Sequence, residues 1–265
     1  MPFLEQAKQI GSTAAPAYEA LVLQALDQAE LRWRPLAVEI ARKGQPPGTL
    51  ELDVMADAVK IDGVRINATA ALELEIAERL QATLLTPFLS DWIYRTSARR
   101  IDPQPRPITS SVGAMIAHSA DVDLEAAGAL DIADPGKDWV GTSKGIATYG
   151  WHASQSWSAG AGVPVHPAAA LGGLYVVQQP YTGHKLRHSD YSQTVRLVKR
   201  ACHYDGQVAD LVELYQSGIG TGGAVVDMMR PNGIPPAPAS ARVGAVGVGL
   251  LALGLAVWAL LRSRH

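Results

Sequence analysis

The segment Thr49–Leu84, TLELDVMADAVKIDGVRINATAALELEIAERLQATL, decides the fold class because its hydrophobic period changes part of the way along. Its first part contains two short, apolar, β-branched runs, Thr49–Val54 and Ala58–Ile66, and Asp62-Gly63 is a dipeptide typical of hairpin turns. From Ala70 onward, apolar residues recur at helical spacing and glutamates fill the other side. The segment therefore predicts two strands followed by a helix, as in an α+β domain.

Helices are also predicted on both sides of this segment. Residues 14–44 carry apolar side chains near helical period and end at a stretch with two prolines, which predicts one or two N-terminal helices. Thr86-Pro87 is typical of a helix start, and Ser110–Gly128 can form a further helix. Between these two helices, Asp102–Pro107 (DPQPRP) is predicted to be extended, because a residue that precedes proline is pushed out of the helical region.

The composition changes after Asp134-Pro135-Gly136. Residues 137–205 hold five of the seven histidines and many glycines, a profile typical of a β-rich region with long functional loops. The chain is thus predicted to contain one soluble α+β domain, residues 1–217, with N-terminal helices and a β-rich C-terminal half. The net charge of only -2 gives no reason to expect a nucleic-acid partner, and the single cysteine, Cys202, excludes an intrachain disulfide.

The stretch Val243–Leu261, VGAVGVGLLALGLAVWALL, contains nineteen residues without a charge. A helix of this length reaches roughly 28 Å at about 1.5 Å per residue, close to the roughly 30 Å of a bilayer's hydrocarbon core. We therefore predict one transmembrane helix, with the lipid bilayer as a partner. Residues 218–242, rich in glycine and then in proline and alanine, are predicted to be a linker, and residues 262–265 form a basic tail.

Two further predictions concern this span. The pairs Ala245/Gly249 and Ala252/Ala256 follow the small-xxx-small pattern, which allows homo-oligomers through the small-residue face of the span. The side of the membrane stays open. A span so close to the C-terminus and the lack of an apolar leader favour a cytoplasmic domain, whereas Arg262 and Arg264 favour a cytoplasmic tail.

Candidate catalytic residues lie in two segments, Tyr149–His152 (YGWH) and His184–Val198 (HKLRHSDYSQTVRLV). If the second half of the latter is a strand, His188, Asp190 and Ser192 share one face. Asp190 could then orient a histidine, a histidine could activate water or a hydroxyl, and Ser192 could be a nucleophile.

The same residue types are compatible with a metal site. His152, His184 and Asp190 could form a two-histidine, one-carboxylate site for a divalent metal such as zinc, which lowers the pKa of bound water. A third interpretation is purely structural, with these side chains as hydrogen-bonded core groups. The spacing of these residues does not distinguish between the three interpretations. The candidate catalytic residues are His152, His184, Asp190 and Ser192.

The two segments resemble a family of uncharacterised secreted or phage-borne bacterial proteins with the motifs KDVV, (A/N)xYGWH, PI-Q-P and H-x5-DYSHG-RLV. The counterparts here are Lys137–Val140, Ala147–His152, Gln179-Pro180 and His184 through Asp190-Tyr191-Ser192 to Val198. Upstream, Leu85–Pro87, Asp91–Tyr94 and Pro103–Pro105 are similar to that family's LPT, D-IY and PQP motifs, so the likeness spans residues 48–217. This chain departs from the family at Gln193 and Thr194, where the family carries His-Gly.

The resemblance and the span together predict a membrane-anchored hydrolase of the cell envelope, of bacterial or phage origin, acting on peptidoglycan or its stem peptides. Lys137, Trp151 and Tyr191 lie in the shared motifs and are predicted to bind substrate. Zinc D-alanyl peptidases offer a partial analogy to His184-x5-Asp190 and to the Trp-His pair, but in those enzymes the order is reversed and the spacing is one residue longer. The alternative function is a noncatalytic envelope or virion component that binds a glycan or a protein through Trp139, Trp151 and Trp157.

Overall fold

A computed structural model describes residues 1–42, 45–157 and 163–217 of the chain. In these residues the helices are α1 (Phe3–Ile10), α2 (Pro16–Ala25), α3 (Ala70–Arg79), α4 (Pro87–Thr96), α5 (Val112–Ala126) and α6 (Leu211–Ser217), with a 3-10 turn at Leu26–Gln28. The strands are β1 (Trp33–Arg42), β2 (Gln45–Met55), β3 (Lys60–Ile61), β4 (Val64–Arg65), β5 (Ala82–Leu84), β6 (Arg99–Arg100), β7 (Ile132–Ala133), β8 (Lys137–Thr142), β9 (Gly145–Ala153), β10 (His166–Pro167), β11 (Tyr175–Tyr181), β12 (Leu197–Lys199), β13 (Ala201–Tyr204) and β14 (Gln207–Asp210). The predicted α+β domain, with N-terminal helices and a β-rich later part, is confirmed.

The larger sheet has six strands in the order β14-β13-β2-β12-β5, and β1 also pairs with β2. The β1–β2 hairpin is antiparallel and runs from the pair Trp33–Met55 to the pair Arg42–Gln45. Along β1, Leu36, Val38 and Ile40 are buried while the residues between them are exposed. One face of this sheet therefore packs on the core and the other faces solvent.

The prediction of helix over residues 14–44 is only partly correct. Helix α2 occupies the first third, but the chain from Trp33 to Arg42 is a strand. The physical reason is the alternation of apolar residues at period two, strengthened by the β-branched side chains of Val38 and Ile40. Extending the helical period of residues 17–29 across this stretch missed that change.

The smaller sheet has four strands in the order β10-β11-β9-β8, and α4 connects it to the larger sheet. Just before α4, Leu85 bridges to Val140 of β8, and the Gly141 amide donates a hydrogen bond of 2.8 Å to the Leu85 carbonyl. One buried cluster unites the two sheets around this helix; it includes Leu36, Leu52, Phe88, Leu89, Ile93, Tyr149 and Val176. Helix α4 therefore lies where residues from both sheets meet.

Several local predictions are confirmed. Asp62 and Gly63 form the β3–β4 turn with φ values of 50° and 75°, as a hairpin turn of this kind requires. The helix predicted from Ala70 is α3, which begins where Thr69 Oγ1 accepts a hydrogen bond of 3.1 Å from the Leu72 amide. It ends at Arg79, so the helical prediction is wrong for Ala82–Leu84, which form β5. Asp102–Pro107 forms neither helix nor strand.

The last elements of the described residues are β14 and then α6, which covers Leu211–Ser217. Among the residues that the structure describes, no helix has both the length and the apolar character needed to cross a bilayer. The predicted linker, transmembrane helix and basic tail, residues 218–265, lie outside the described residues.

Candidate active site

The start of β8 and the segment from Asp190 to Arg196 lie side by side and build the candidate site. The Lys137 amide donates a hydrogen bond of 2.6 Å to the Ser192 carbonyl, and Lys137 and Gln193 form a parallel bridge. Gly136 permits this approach, because a Cβ atom there would lie 2.4 Å from the Ser192 carbonyl oxygen. The two segments thus bring Lys137 to Asp190.

Asp190 is the most highly connected side chain at this point. Its Oδ2 accepts a hydrogen bond of 3.0 Å from Lys137 Nζ, and its Oδ1 accepts hydrogen bonds from the Ser192 amide at 2.8 Å and the Ser192 hydroxyl at 2.7 Å. Burial raises the pKa of Asp190, but Lys137 and the two Ser192 hydrogen bonds outweigh burial and lower it. Asp190 is therefore an anion paired with Lys137.

Asp190 and Ser192 were predicted to share one face of a strand. They do lie together, but the local structure that brings them together is different. These residues form a turn, not a strand, and the carboxylate caps the amide two residues later, as aspartates commonly do in turns. Ser192 is 0% exposed and its hydroxyl donates to Asp190. The geometry makes Ser192 a support for the carboxylate; its role as a nucleophile stays a prediction.

His184 and His188 are stacked next to this ion pair. Their ring centroids are 3.9 Å apart with the ring planes 2° from parallel, and a turn holds them there through a 2.8 Å hydrogen bond from the His188 amide to the Lys185 carbonyl. The edge of Tyr181 and the buried ring of Trp139 pack against His184 at centroid distances of 4.8 and 6.1 Å. We call Lys137, His184, His188 and Asp190 the His184 cluster.

His184 is chemically suited to accept a proton. Burial lowers its pKa, the charges of His188 and Lys137 lower it further, and Asp190 opposes them only in part. Because the ordinary pKa of histidine is already about 6.5, the imidazole is predominantly neutral at pH 7. His184 is also partly exposed, so water can reach it.

Trp151 and Tyr191, which were predicted to bind substrate, lie beneath the His184 cluster. Trp151 is 4% and Tyr191 3% exposed, and Lys137 Nζ lies 5.4 Å from the Trp151 ring centroid, within cation–π range. Trp151 has a φ of 56°, a left-handed conformation that is strained for a large side chain. Trp151 supports Lys137 and Tyr191 packs on Trp151 at a centroid distance of 6.2 Å, but neither ring presents an open face to a ligand.

His152 lies elsewhere, in a fully buried network. Its Nδ1 is 2.8 Å from Asp134 Oδ2 and its Nε2 is 2.8 Å from Asp91 Oδ1. Burial would lower the pKa of His152, but Asp134 and Asp91 outweigh burial and raise it to about 9. His152 is therefore an imidazolium that donates a hydrogen bond to each carboxylate.

The structure does not bring His152 together with the other three predicted residues. Within the described chain, the ring contacts of His152 are to Asp91, Asp134, Tyr94 and Tyr149. The two neighbouring side chains of β9 contact different groups here: Trp151 lies against Lys137 of the His184 cluster, whereas His152 lies between Asp91 and Asp134.

The same network contains residues that the site prediction missed. Asp91 accepts hydrogen bonds from the Tyr149 hydroxyl at 2.6 Å and from the amides of Ala170 and Leu171 at 3.0 and 3.1 Å. Arg196 pairs with Asp138 at 2.6 Å. Asp91, Asp138 and Arg196 all lie inside the sequence motifs on which the expected resemblance was based, and this was the signal that the sequence offered. We call His152, Asp91, Asp134, Asp138 and Arg196 the His152 network.

The predicted metal site does not fit this arrangement. In residues 1–42, 45–157 and 163–217, no three histidine, cysteine or acidic side chains are grouped so that they could hold an ion. His184 and His188 cannot share one ion as they stand, because an ion lies in the plane of each imidazole it binds and these two planes are parallel. The arrangement of His184, His188 and Asp190 therefore does not match the geometry of a zinc site.

Comparison with known proteins gives no further guide to function. No protein-family model matches this chain, and neither characterised proteins nor solved structures show a significant similarity to it. The function has to be argued from the two clusters themselves.

Proposed function

We propose that this protein is a hydrolase of the cell envelope in which His184 is the general base and Lys137 stabilises negative charge on the substrate. One observation carries the proposal: His184 is a partly exposed imidazole that stacks on His188 at a centroid distance of 3.9 Å, next to the Lys137–Asp190 ion pair. A neutral base near a fixed cation is a pairing that promotes water-driven cleavage of an amide.

The reaction uses both groups. His184 takes a proton from a water molecule as the water oxygen bonds to the carbonyl carbon of the substrate. An N–H of Lys137 donates to the carbonyl oxygen as it gains negative charge; Asp190 accepts from one of the three Lys137 donors, which leaves others for substrate. When the C–N bond breaks, the imidazolium of His184 returns the proton to the leaving nitrogen.

Asp190 and Ser192 act through Lys137 and are positioning residues. The Asp190 side chain is 3% and the Lys137 side chain 12% exposed, so the ion pair lies just below the surface. Ser192 fixes the carboxylate with two hydrogen bonds, and the carboxylate in turn fixes the ammonium. Such preorganised charge contributes more than a mobile surface lysine would.

The substrate and location rest on the sequence. The apolar stretch at residues 243–261 supports a membrane anchor, and the resemblance to secreted or phage-borne proteins supports action on peptidoglycan or its stem peptides. The linker would give the domain reach from the bilayer to the cell wall.

The proposal is tested with the full-length protein in detergent and purified sacculi. We expect the wild type to release soluble fragments, and His184→Asn and Lys137→Met to reduce the rate by about 100-fold or more, the usual effect of losing acid–base catalysis. His203→Asn is the matched control, because His203 lies on β13 and is exposed. A wild type that releases nothing, or a His184→Asn variant with the wild-type rate, would refute the proposal.

The alternative, a noncatalytic component that binds through tryptophans, has less support. Stacking on a sugar needs an exposed ring face, but Trp139 is 1% and Trp151 4% exposed. Trp157 is partly exposed. Binding to sacculi without release of fragments, unchanged by His184→Asn, would favour this alternative.

A further inference from the structure

We infer that Tyr181 is the substrate-binding platform of the His184 cluster and that it takes the apolar face of a sugar ring. The inference deepens the proposed function and depends on it for the cell-wall identity of the substrate. It gives the site a saccharide-binding position next to the general base.

The position of Tyr181 carries the first part of the argument. Tyr181 is 49% exposed, in contrast to the buried Trp139 and Trp151. Its ring makes a T-shaped contact with His184 at a centroid distance of 4.8 Å and an interplanar angle of 80°. A ligand that covers the exposed part of this ring is therefore brought next to the proposed base.

The sequence around Tyr181 fixes the ring in this place. A Cβ atom on Gly183 would lie 2.3 Å from Tyr181 Oη and 2.4 Å from Cζ, so the phenol lies directly over the bare backbone of Gly183. The pairing of β11 with β9 also shifts register between Gln178 and Tyr181, which sets Tyr181 opposite Thr148. The ring of Tyr181 is therefore exposed but packs on the backbone of Gly183, whereas an ordinary surface tyrosine rotates freely.

The surroundings of Tyr181 favour a sugar over an apolar peptide side chain. His184 is a polar group that loses water when a ligand covers this surface, and an aliphatic side chain would offer it no hydrogen bond. A pyranose ring places C–H groups on the aromatic face and keeps its hydroxyl and acetamido groups at the rim. Both requirements of the surface are then met by one ligand.

Binding is measured without turnover. The probe is N-acetylglucosaminyl-N-acetylmuramic acid without peptide, titrated into the full-length protein in detergent and followed by calorimetry or by ligand NMR. We expect Tyr181→Ala and Gly183→Ala to weaken binding roughly 5- to 10-fold, and Tyr181→Phe to stay within about twofold. Tyr175→Ala, at the opposite end of the same strand, is the control and should bind as the wild type does.

The outcomes separate this inference from the proposed function. Disaccharide binding that depends on Tyr181, in a protein that cleaves no sacculi, supports the inference and refutes the hydrolase. Sacculus cleavage with an unchanged KM in Tyr181→Ala overturns the inference and leaves the hydrolase intact. An equal dependence on Tyr181 for a stem peptide without sugar also overturns it, because the platform would then not select a saccharide.

Discussion

His152 and His184 each have an aspartate and a cation nearby, but they differ in exposure and in the charge of the groups that contact the ring. His152 is 0% exposed, and each ring nitrogen lies 2.8 Å from a carboxylate. His184 is partly exposed and stacks on a second imidazole near Lys137. The first histidine is held as a cation and the second is kept neutral.

The sign of the nearest charge decides whether a buried or half-buried histidine holds a proton. Two carboxylates overcome the cost of burying the His152 imidazolium, so its proton is bound and its ring is fixed. At His184, burial, His188 and Lys137 all lower the pKa, so the neutral form of the ring is favoured. A structural histidine and a catalytic candidate thus arise from the same residue type.

The largest expected difference is in stability. We expect His152→Ala to lower the free energy of unfolding by about 3–5 kcal/mol, because it leaves two buried carboxylates without their cation. His184→Ala should lower it by less than about 1 kcal/mol, since the side chain is partly exposed. Urea unfolding followed by tryptophan fluorescence measures both.

Equal losses in the two variants would contradict the comparison. Circular dichroism before unfolding serves as the control that each variant has folded. If His152→Ala does not fold at all, Asp91→Asn is the milder variant, because it removes one charge and keeps the shape of the side chain.

The next largest effect is the dependence of stability on pH. The pKa of His152 is about 9 in the folded protein and about 6.5 when unfolded, so the folded state binds the extra proton between these values. The stabilisation is fully present below pH 6.5 and is lost as pH rises through 9, by an amount on the order of 3 kcal/mol. Urea unfolding at a series of pH values from 6 to 10 measures this slope.

The matched variant for this experiment is His152→Ala, in which the slope over the same pH range should be much smaller. His184→Ala should keep the wild-type slope above about pH 8, because the pKa of His184 is lowered from its ordinary value of about 6.5 and the group is neutral there in both the folded and the unfolded protein. If the slope stays steep in His152→Ala, the pH dependence of stability comes from other groups.

Much of the fold could be predicted because local signals were strong. The Asp62-Gly63 turn depends on a few neighbouring residues, and the sequence predicted it correctly. Strand β1 was missed because Leu36, Val38 and Ile40 follow directly on a helical pattern, and the change of period was overlooked. Local chemistry predicts an element better than it predicts where the next one begins.

The site was harder to predict because its members come from distant parts of the chain. The sequence pointed to both histidine segments, but it could not show that His152 is buried with Asp91 and Asp134, and so it grouped His152 with His184. Asp91 and Arg196 are far apart in the chain, and only the packing of α4 beside β8 brings them into one network. The Asp190–Ser192 contact was foreseen because it is local.

The smallest expected effect is that of Ser192→Ala, which tests whether Ser192 is a nucleophile or a support for Asp190. Ser192→Ala removes one of three donors to Asp190, while the Ser192 amide and Lys137 Nζ remain. We expect the free energy of unfolding to fall by about 1 kcal/mol, the usual value for one hydrogen bond. The rate on sacculi should fall only several-fold, since Lys137 keeps its partner.

A nucleophile would behave differently, because its loss removes the covalent step and takes the rate down by orders of magnitude. Comparing Ser192→Ala with His184→Asn on the same substrate therefore separates a hydroxyl that positions a carboxylate from one that attacks a carbonyl. A loss in Ser192→Ala as large as that in His184→Asn would make Ser192 the nucleophile and His184 its base. The hydrogen bond that Ser192 donates to Asp190, rather than to either imidazole, is the reason to expect the smaller loss.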